Sequence, residues 1–449
     1  MLANKFFRPF TVTASVVATH FYCALSSIHG TIKTMTKRSR KWAVITVLML
    51  CLSAAGGADT AANGAEVSPR PQTPIMGWSS WNHFHININE AIIRGQADSM
   101  VASGMVKVGY RYINIDDGYF GGRDTNGNLY CNLEKFPSGM KALAHYIHAK
   151  GLKPGIYSDA GTDTCGSEWD KDSHGFGVGL YQHEEQDLTL MLKDWGYDFI
   201  KVDWCGGLRQ KLSEEKQYTL IGGIVRKLRA DVVYNVCRWQ YPGDWVKTTA
   251  DSWRISGDIS ATFESVMHIV DQCEPLWPHC TPGHFNDMDM LQVGRGMTED
   301  EDKSHFTMWC MMTSPLLAGN DLREMKPATI AILTQPEIIA LNQDPLGHQA
   351  RRLRDDGDSE LWAKPLGTIE GGEVAVTLLN RAKKEVNISF NLSEFGIDAA
   401  KGYALRDLWQ GKTLATTATA TSHSFKVPAH GVVVLRITGI PTAKTPFKS

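Results

Sequence analysis

Lys153-Pro154-Gly155-Ile156-Tyr157-Ser158-Asp159 and Phe199-Ile200-Lys201-Val202-Asp203-Trp204-Cys205 are two short apolar runs that close around an acid. Between them lies Glu184–Trp195, an amphipathic stretch with apolar residues at i, i+3 and i+4. The three together read as strand, helix, strand, the unit that joins parallel neighbours. Outward from this unit the same phrase recurs from Pro74 to about Pro345. Further strands are expected at Ile75–Trp81, Tyr112–Asp117, Val232–Trp239, Ser252–Ile259, His284–Met290 and near Met308–Ser314. Helices are expected at Asn89–Ser103, Gly139–Lys150 and Glu215–Arg229. Eight alternations predict an α/β fold, a (β/α)8 TIM barrel over residues 73–347, close to the ~250 residues usual for it. A doubly wound open sheet is disfavoured because no glycine-rich phosphate loop follows the first strand.

After Asn342-Gln343-Asp344-Pro345-Leu346-Gly347 the texture changes to short β-rich runs: Glu360–Lys364, Val374–Asn380, Val386–Leu392, Tyr403–Asp407, Ser424–Val427 and Gly431–Ile437. Turn residues separate them at sandwich-like intervals, so residues 350–440 are expected to form an antiparallel β-sandwich. The tail from Pro441 is expected to fray.

At the other end, Lys37, Arg38, Arg40 and Lys41 precede the apolar run Trp42–Leu52 and the small residues Ala54, Ala55, Gly56, Gly57 and Ala58. This is the pattern of an export signal, giving a leader over residues 1–58, and the basic residues just after Met35 point to translation starting there. The apolar run falls short of the ~20 residues a spanning helix needs. The mature protein is therefore expected to be secreted or periplasmic, without membrane insertion, beginning in an Ala/Gly/Pro-rich linker at 59–72. A formal charge of -2 gives no basis for nucleic-acid binding. Of nine cysteines seven survive processing, an odd number, and no CxxC or clustered His/Cys spacing suggests zinc. No metal site or cofactor is expected.

The informative feature is where the carboxylates fall. Successive expected strands end in Asp116-Asp117, Asp159, Asp203, Asp258 and Asp287-Met288-Asp289. An Asp after a strand is commonly a turn former or helix cap. Five such places at one barrel face are harder to dismiss, because that face carries the active site of TIM barrels. Three chemistries could use the ring: magnesium-dependent lyases, glycosidases with a pair of carboxyl groups, and sugar binding without catalysis. Lys201, two residues before Asp203 and on the same strand face, competes with a metal but suits hydroxyls and an ionised neighbour. Trp78, Trp81, Tyr157, Trp204 and Trp239 offer ring faces for a pyranose or, alternatively, barrel packing.

Met76-Gly77-Trp78-Ser79-Ser80-Trp81-Asn82-His83-Phe84, Asn114-Ile115-Asp116-Asp117, Gly155-Ile156-Tyr157-Ser158-Asp159-Ala160-Gly161, Lys201-Val202-Asp203 and Asn286-Asp287-Met288-Asp289-Met290 resemble, in order across the whole barrel, the motifs of the clan D α-galactosidases, glycoside hydrolase family 27. The resemblance implies a retaining exo-glycosidase acting on a galactose-containing oligo- or polysaccharide, with Asp203 as nucleophile and Asp258 as acid/base. It implies that Asp116 and Asp117 receive O4 and O6, Lys201 the O3/O4 side, and Arg254 with Cys237 and Trp239 the C2–C3 side. Trp81 would lie under the ring, with Tyr157, Asp289 and Met290 lining the pocket. It further implies a disulfide between Cys165 and Cys205. On this reading Lys201 keeps Asp203 ionised while Asp258 is protonated, with the carboxyls ~5–5.5 Å apart.

Two departures stand out. Ile86 and Gly118 occupy places where family members often carry a disulfide pair, which reads as a different loop solution. Arg238 stands where many α-galactosidases have Glu, a charge reversal expected beside the C2 pocket. The rival readings are a β-L-arabinopyranosidase of the same family and, from another class, a non-catalytic galactoside-binding homologue.

Overall fold

The computed structural model describes residues 70–447. The leader over 1–58 and most of the 59–72 linker lie outside the described residues. Eight strands form one parallel sheet: β1 Met76–Ser79, β2 Tyr112–Asn114, β3 Lys153–Asp159, β4 Phe199–Asp203, β5 Val233–Val236, β6 Ser252–Arg254, β7 Phe285–Asp287 and β8 Leu316–Ala318. Their order is β8-β1-β2-β3-β4-β5-β6-β7. Just beyond β7, Leu291 bridges Ala318 in parallel, its amide donating to Leu317 O and its carbonyl accepting from Gly319, which closes the ring. Gly77 permits the β1–β2 approach, since a Cβ there would stand 2.4 Å from Tyr112 O.

The helices include α1 Glu90–Ala102, α2 Gly139–Ala149, α3 Glu184–Thr189 with a π-helical continuation Leu190–Asp194, α4 Glu214–Leu228, α5 Phe263–Cys273, α6 Glu299–Met311, α7 Pro327–Leu333 and α8 Pro336–Asn342. The α1 start follows from Asn89, whose side chain accepts from Ile92 N, and the α6 start from a Thr298/Glu301 capping box. Among the described residues no helix is long and apolar enough to cross a membrane.

The eighth strand is not where the sequence placed it. Met308–Ser314 is the end of α6 and the turn after it, and the strand follows at Leu316–Ala318. Every residue from Ser304 to Met311 is buried, so α6 lacks the polar face that would show a helical period. The frayed tail is also corrected. Ile397 bridges Pro441, Phe447 is 1% exposed, and the Arg351 guanidinium donates to the Pro446 and Phe447 carbonyls.

The C-terminal domain pairs a six-stranded antiparallel sheet with a two-stranded one. The strands are β9 Arg351–Asp355, β10 Ser359–Pro365, β11 Glu373–Asn380, β12 Val386–Asn391, β13 Tyr403–Asp407, β14 Lys412–Ala418, β15 Ser422–Val427 and β16 Val432–Gly439. The larger sheet runs β9-β10-β11-β16-β13-β14 and the smaller pairs β12 with β15. Leu361, Val376 and Leu435 from the first pack with Ile388 and Phe390 from the second. The domain docks on α6 through polar joints, Ser304 Oγ to His430 O at 2.6 Å and Trp409 Nε1 to Thr307 Oγ1 at 3.0 Å.

Lys364 of β10 is the most demanding of these joints. It is fully buried, and its ammonium donates to Thr313 Oγ1 at 2.6 Å and to the Cys310 and Leu341 carbonyls. Burial lowers its pKa to about 8. Lys364→Met would take the ammonium donor from Thr313 Oγ1 and the Leu341 carbonyl and leave the Cys310 carbonyl only the Thr313 amide. We expect a loss of about 2 kcal/mol or more in denaturant unfolding, and an unchanged midpoint would show that these contacts contribute nothing.

Candidate active site

The barrel mouth holds a pocket of about 300 Å³ whose walls include Asp116, Tyr157, Lys201, Asp203, Arg254 and Asp258. Trp81, Trp239, Asp289 and Met290, also expected from the sequence, line it too, joined by Asn82, Cys165, Trp169 and Gly257. The wall is built by strand ends: Lys201 and Asp203 lie in β4, Tyr157 in β3 and Arg254 ends β6. The remaining carboxylates sit just past their strands, on turns rather than on the pleat.

Two expected residues lie behind the wall. Asp117 is fully buried and its carboxylate accepts from Gly118 N at 2.8 Å and Gly166 N at 2.7 Å, so it holds the segment after β3. Cys237 is also fully buried, its sulfur 3.8 Å from an Arg254 nitrogen. Arg238 stands behind a wall residue, its guanidinium 5.9 Å from the centre of the Trp239 ring. Its Nε meets Glu214 Oε2 at 2.7 Å, and it is absent from the pocket wall.

The charges interlock. Lys201 Nζ stands 3.0 Å from Asp116 and 3.7 Å from Asp203. Arg254 reaches Asp258 at 2.9 Å and Asp289 at 3.1 Å. Its Nε is buried without a hydrogen-bond partner. Asp289 is oriented by Ile259 N and Met290 N, which donate to its two oxygens at 2.9 and 2.7 Å. Asp289 and Trp239 both adopt positive φ, 76° and 62°, a conformation costly for residues with a side chain.

Burial pushes Asp203 up to about 6, with Lys201 pulling down and Asp258 and Asp116 pushing up again. Burial would raise Asp258 too, but Arg254 and Lys201 hold it below the usual carboxylate range. In the free pocket the proton therefore prefers Asp203, the reverse of the order expected from the sequence. Burial also lifts Asp117 to about 7 and Asp159 to about 8.

Cys165 and Cys205 form a disulfide, Cα atoms 5.2 Å apart, as the resemblance implied. The other described cysteines, 131, 237, 273, 280 and 310, are free and buried. Asp159 lies with both bridge sulfurs within 4.8 Å, but sulfurs already bonded to each other offer no thiolate to a metal. Ile86 and Gly118 do meet, without cysteines. A Cβ on Gly118 would lie 2.6 Å from Ile86 Cα, and Lys135 Nζ bonds both carbonyls, at 2.8 and 3.0 Å. Trp169 is the aromatic wall residue that the sequence reading missed, beside Asn82 and Gly257. Its signal was an isolated indole within the polar run Gly166-Ser167-Glu168-Trp169-Asp170.

Residues 73–344 match the family model described as Alpha galactosidase A, and residues 356–437 match one described as Alpha galactosidase C-terminal beta sandwich domain. The chain is 43% identical over 390 residues to an alpha-galactosidase A from Cellvibrio japonicus, spanning 82% of this chain and 92% of that one. It is 39% identical over 364 residues to an alpha-galactosidase from Oryza sativa subsp. japonica, covering 79% and 84%. The crystal structure of alpha-galactosidase I from Mortierella vinacea superposes with a TM-score of 0.77 at 31% identity, covering 86% of this chain and all of that one. A β-L-arabinopyranosidase from Geobacillus stearothermophilus, 22% identical with a TM-score of 0.70 over 83% of this chain and 98% of that one, shares the fold.

Asp159 gives the site a pH-dependent stability. Its folded pKa of about 8 exceeds the ordinary 3.8, so the native state keeps a proton that the unfolded chain releases. The stability from this proton is full below about 3.8 and lost as pH rises through about 8. In Asp159→Asn the side-chain oxygen can still accept from Gly161 N and Gly206 N, which now bond Asp159 Oδ1 at 2.7 and 3.1 Å. We expect the variant to melt on the order of 2 °C or more above wild type at pH 8, with the gap closing toward pH 5. A variant that melts lower at pH 8 would contradict a protonated Asp159.

Proposed function

This chain belongs to the α-galactosidase A family, glycoside hydrolase family 27, and we propose that it releases terminal non-reducing α-D-galactosyl residues with retention, Asp203 attacking and Asp258 acting as acid and base. What carries the reading is that the two carboxylates share one pocket but sit in opposite surroundings. Asp203 is buried beside Lys201, whereas the Asp258 side chain is 64% exposed and paired with Arg254. In the first step a carboxylate oxygen of Asp203 bonds the anomeric carbon, the glycosidic bond breaks, and the leaving oxygen takes the Asp258 proton. In the second, Asp258 removes a proton from water, which attacks the same carbon and frees Asp203. The sugar rests on Trp81. Asp116, with Asp117 behind it, and Lys201 receive its O4/O6 edge, and Arg254 borders the C2–C3 side. A binding-only role would leave this acid pair without a purpose. A galactoside is favoured over an arabinopyranoside because Asp116 sits on the wall with Lys201 and would lose its O6 partner.

The protonation order sets the pH profile. Turnover needs Asp203 ionised and Asp258 protonated, so kcat/KM should peak below about pH 6 and fall above it. Asp203→Ala should abolish turnover of every substrate. Asp258→Ala should keep kcat/KM on an activated aryl galactoside, which needs no protonation, and lose the alkaline limb. Equal losses on activated and natural substrates, or a retained limb, would reverse the assignment.

Sugar choice is tested by the ratio of kcat/KM on nitrophenyl α-galactoside to that on the β-L-arabinopyranoside. We expect a ratio above one that Asp116→Ile lowers by about tenfold or more. A wild type that favours the arabinoside would refute the galactoside reading.

A further inference from the structure

Trp169 is 70% exposed, yet it lines the same pocket as Asp203 and Asp258. Indoles bury large apolar areas in folded proteins, and one left open at a binding site offers a flat face for stacking. The residue is held from both sides. The short helix Cys165–Trp169 starts at the cysteine bonded to Cys205, two residues after Asp203. Beyond Trp169, Asp170 Oδ2 meets His85 Nδ1 at 3.1 Å, and the His85 ring packs 5.0 Å from Trp81, the ring assigned beneath the galactose. Lys171 then turns the chain at φ 57°. The backbone that carries the indole is thus tied to both the Asp203 strand end and the sugar platform.

The leaving group has to sit at the pocket mouth, because the proton donor must reach the oxygen being released. Asp258, assigned that role above, is itself exposed there. Beside Trp169 the surface is charged: Glu168 and Arg209 approach to 3.9 Å and are 44% and 41% exposed. One apolar ring face bordered by charged hydrogen-bonding groups suits a pyranose, with its C–H face and hydroxyl rim, and does not suit an acyl chain.

We propose that Trp169 is the stacking platform for the leaving-side sugar, making the enzyme selective for galactose linked to a second pyranose. The inference rests on the assignment of Asp258 as proton donor. The test compares a galactosyl-α-hexose disaccharide with α-galactosyl fluoride, whose leaving group has no ring. Trp169→Ala should lower kcat/KM on the disaccharide by about tenfold or more and on the fluoride by less than about twofold. Trp169→Phe should restore most of the disaccharide activity, and inhibition by free galactose should be unchanged in both variants. Equal losses on the two substrates, or a weakened galactose affinity, would overturn the platform and leave the catalytic assignment standing. Wild-type protein that turns over neither substrate would overturn the site reading beneath it.

Discussion

Lys201 and Arg254 are sunk into the barrel mouth, their side chains only 15% and 3% exposed, and four carboxylates lie against them. A charge taken out of water costs several kcal/mol unless it is paired and hydrogen-bonded. Neither cation could be there without Asp116, Asp203, Asp258 and Asp289. Four against two leaves an excess of negative charge. Burial, aided by Asp258 and Asp116 and opposed by Lys201, lifts Asp203 to about 6, and a reaction centre that gains positive charge would be stabilised by the excess. Preorganised charge of this kind needs no rearrangement at the moment of reaction.

Holding that cluster imposes backbone geometry that the chain would not otherwise adopt. Asp289 and Trp239 take positive φ without being glycine. The Asp289 conformation persists because its surroundings over-determine it: two backbone amides bond its oxygens and Arg254 approaches the same carboxylate. Strain at the pocket is offset by a barrel whose core is closed around it.

Much of this was legible in the sequence because barrel strands repeat one phrase and end in acids at one face. Lys201, Asp203 and Asp116 could be placed together from their positions at strand ends, and the structure puts all three in one pocket. The failures have physical causes. The helix α6 is buried all round, so Met308–Ser314 looked like a strand. The strand Arg351–Asp355 is four-fifths charged and escaped notice. The hairpin Phe120–Arg123/Leu129–Cys131 is short and carries two glycines. The direction of the Asp203 and Asp258 shifts could not be read either, because it depends on distances from Lys201 and Arg254 to each oxygen. Arg238 was only half legible for a similar reason: its charge was visible, its Glu214 partner twenty-four residues earlier was not.

The loops around the pocket are fastened by three different chemistries. Lys135 pins Ile86 and Gly118 by donating to both carbonyls. Asp117 pins Gly166 through a backbone amide. Cys165 and Cys205 are joined covalently. A lysine clamp and a disulfide fix two chain segments equally well, but they respond to different conditions. The lysine joint holds wherever the amine is charged, whereas the sulfur joint depends on an oxidising medium. The Ile86 loop of this protein therefore keeps its place in reducing surroundings. The segment from Cys165 to Trp169 then retains only its polar joints, among them Asp117 with Gly166 and His85 with Asp170. Of the two loops flanking the pocket, the one beside Asp203 is the one tied to redox conditions.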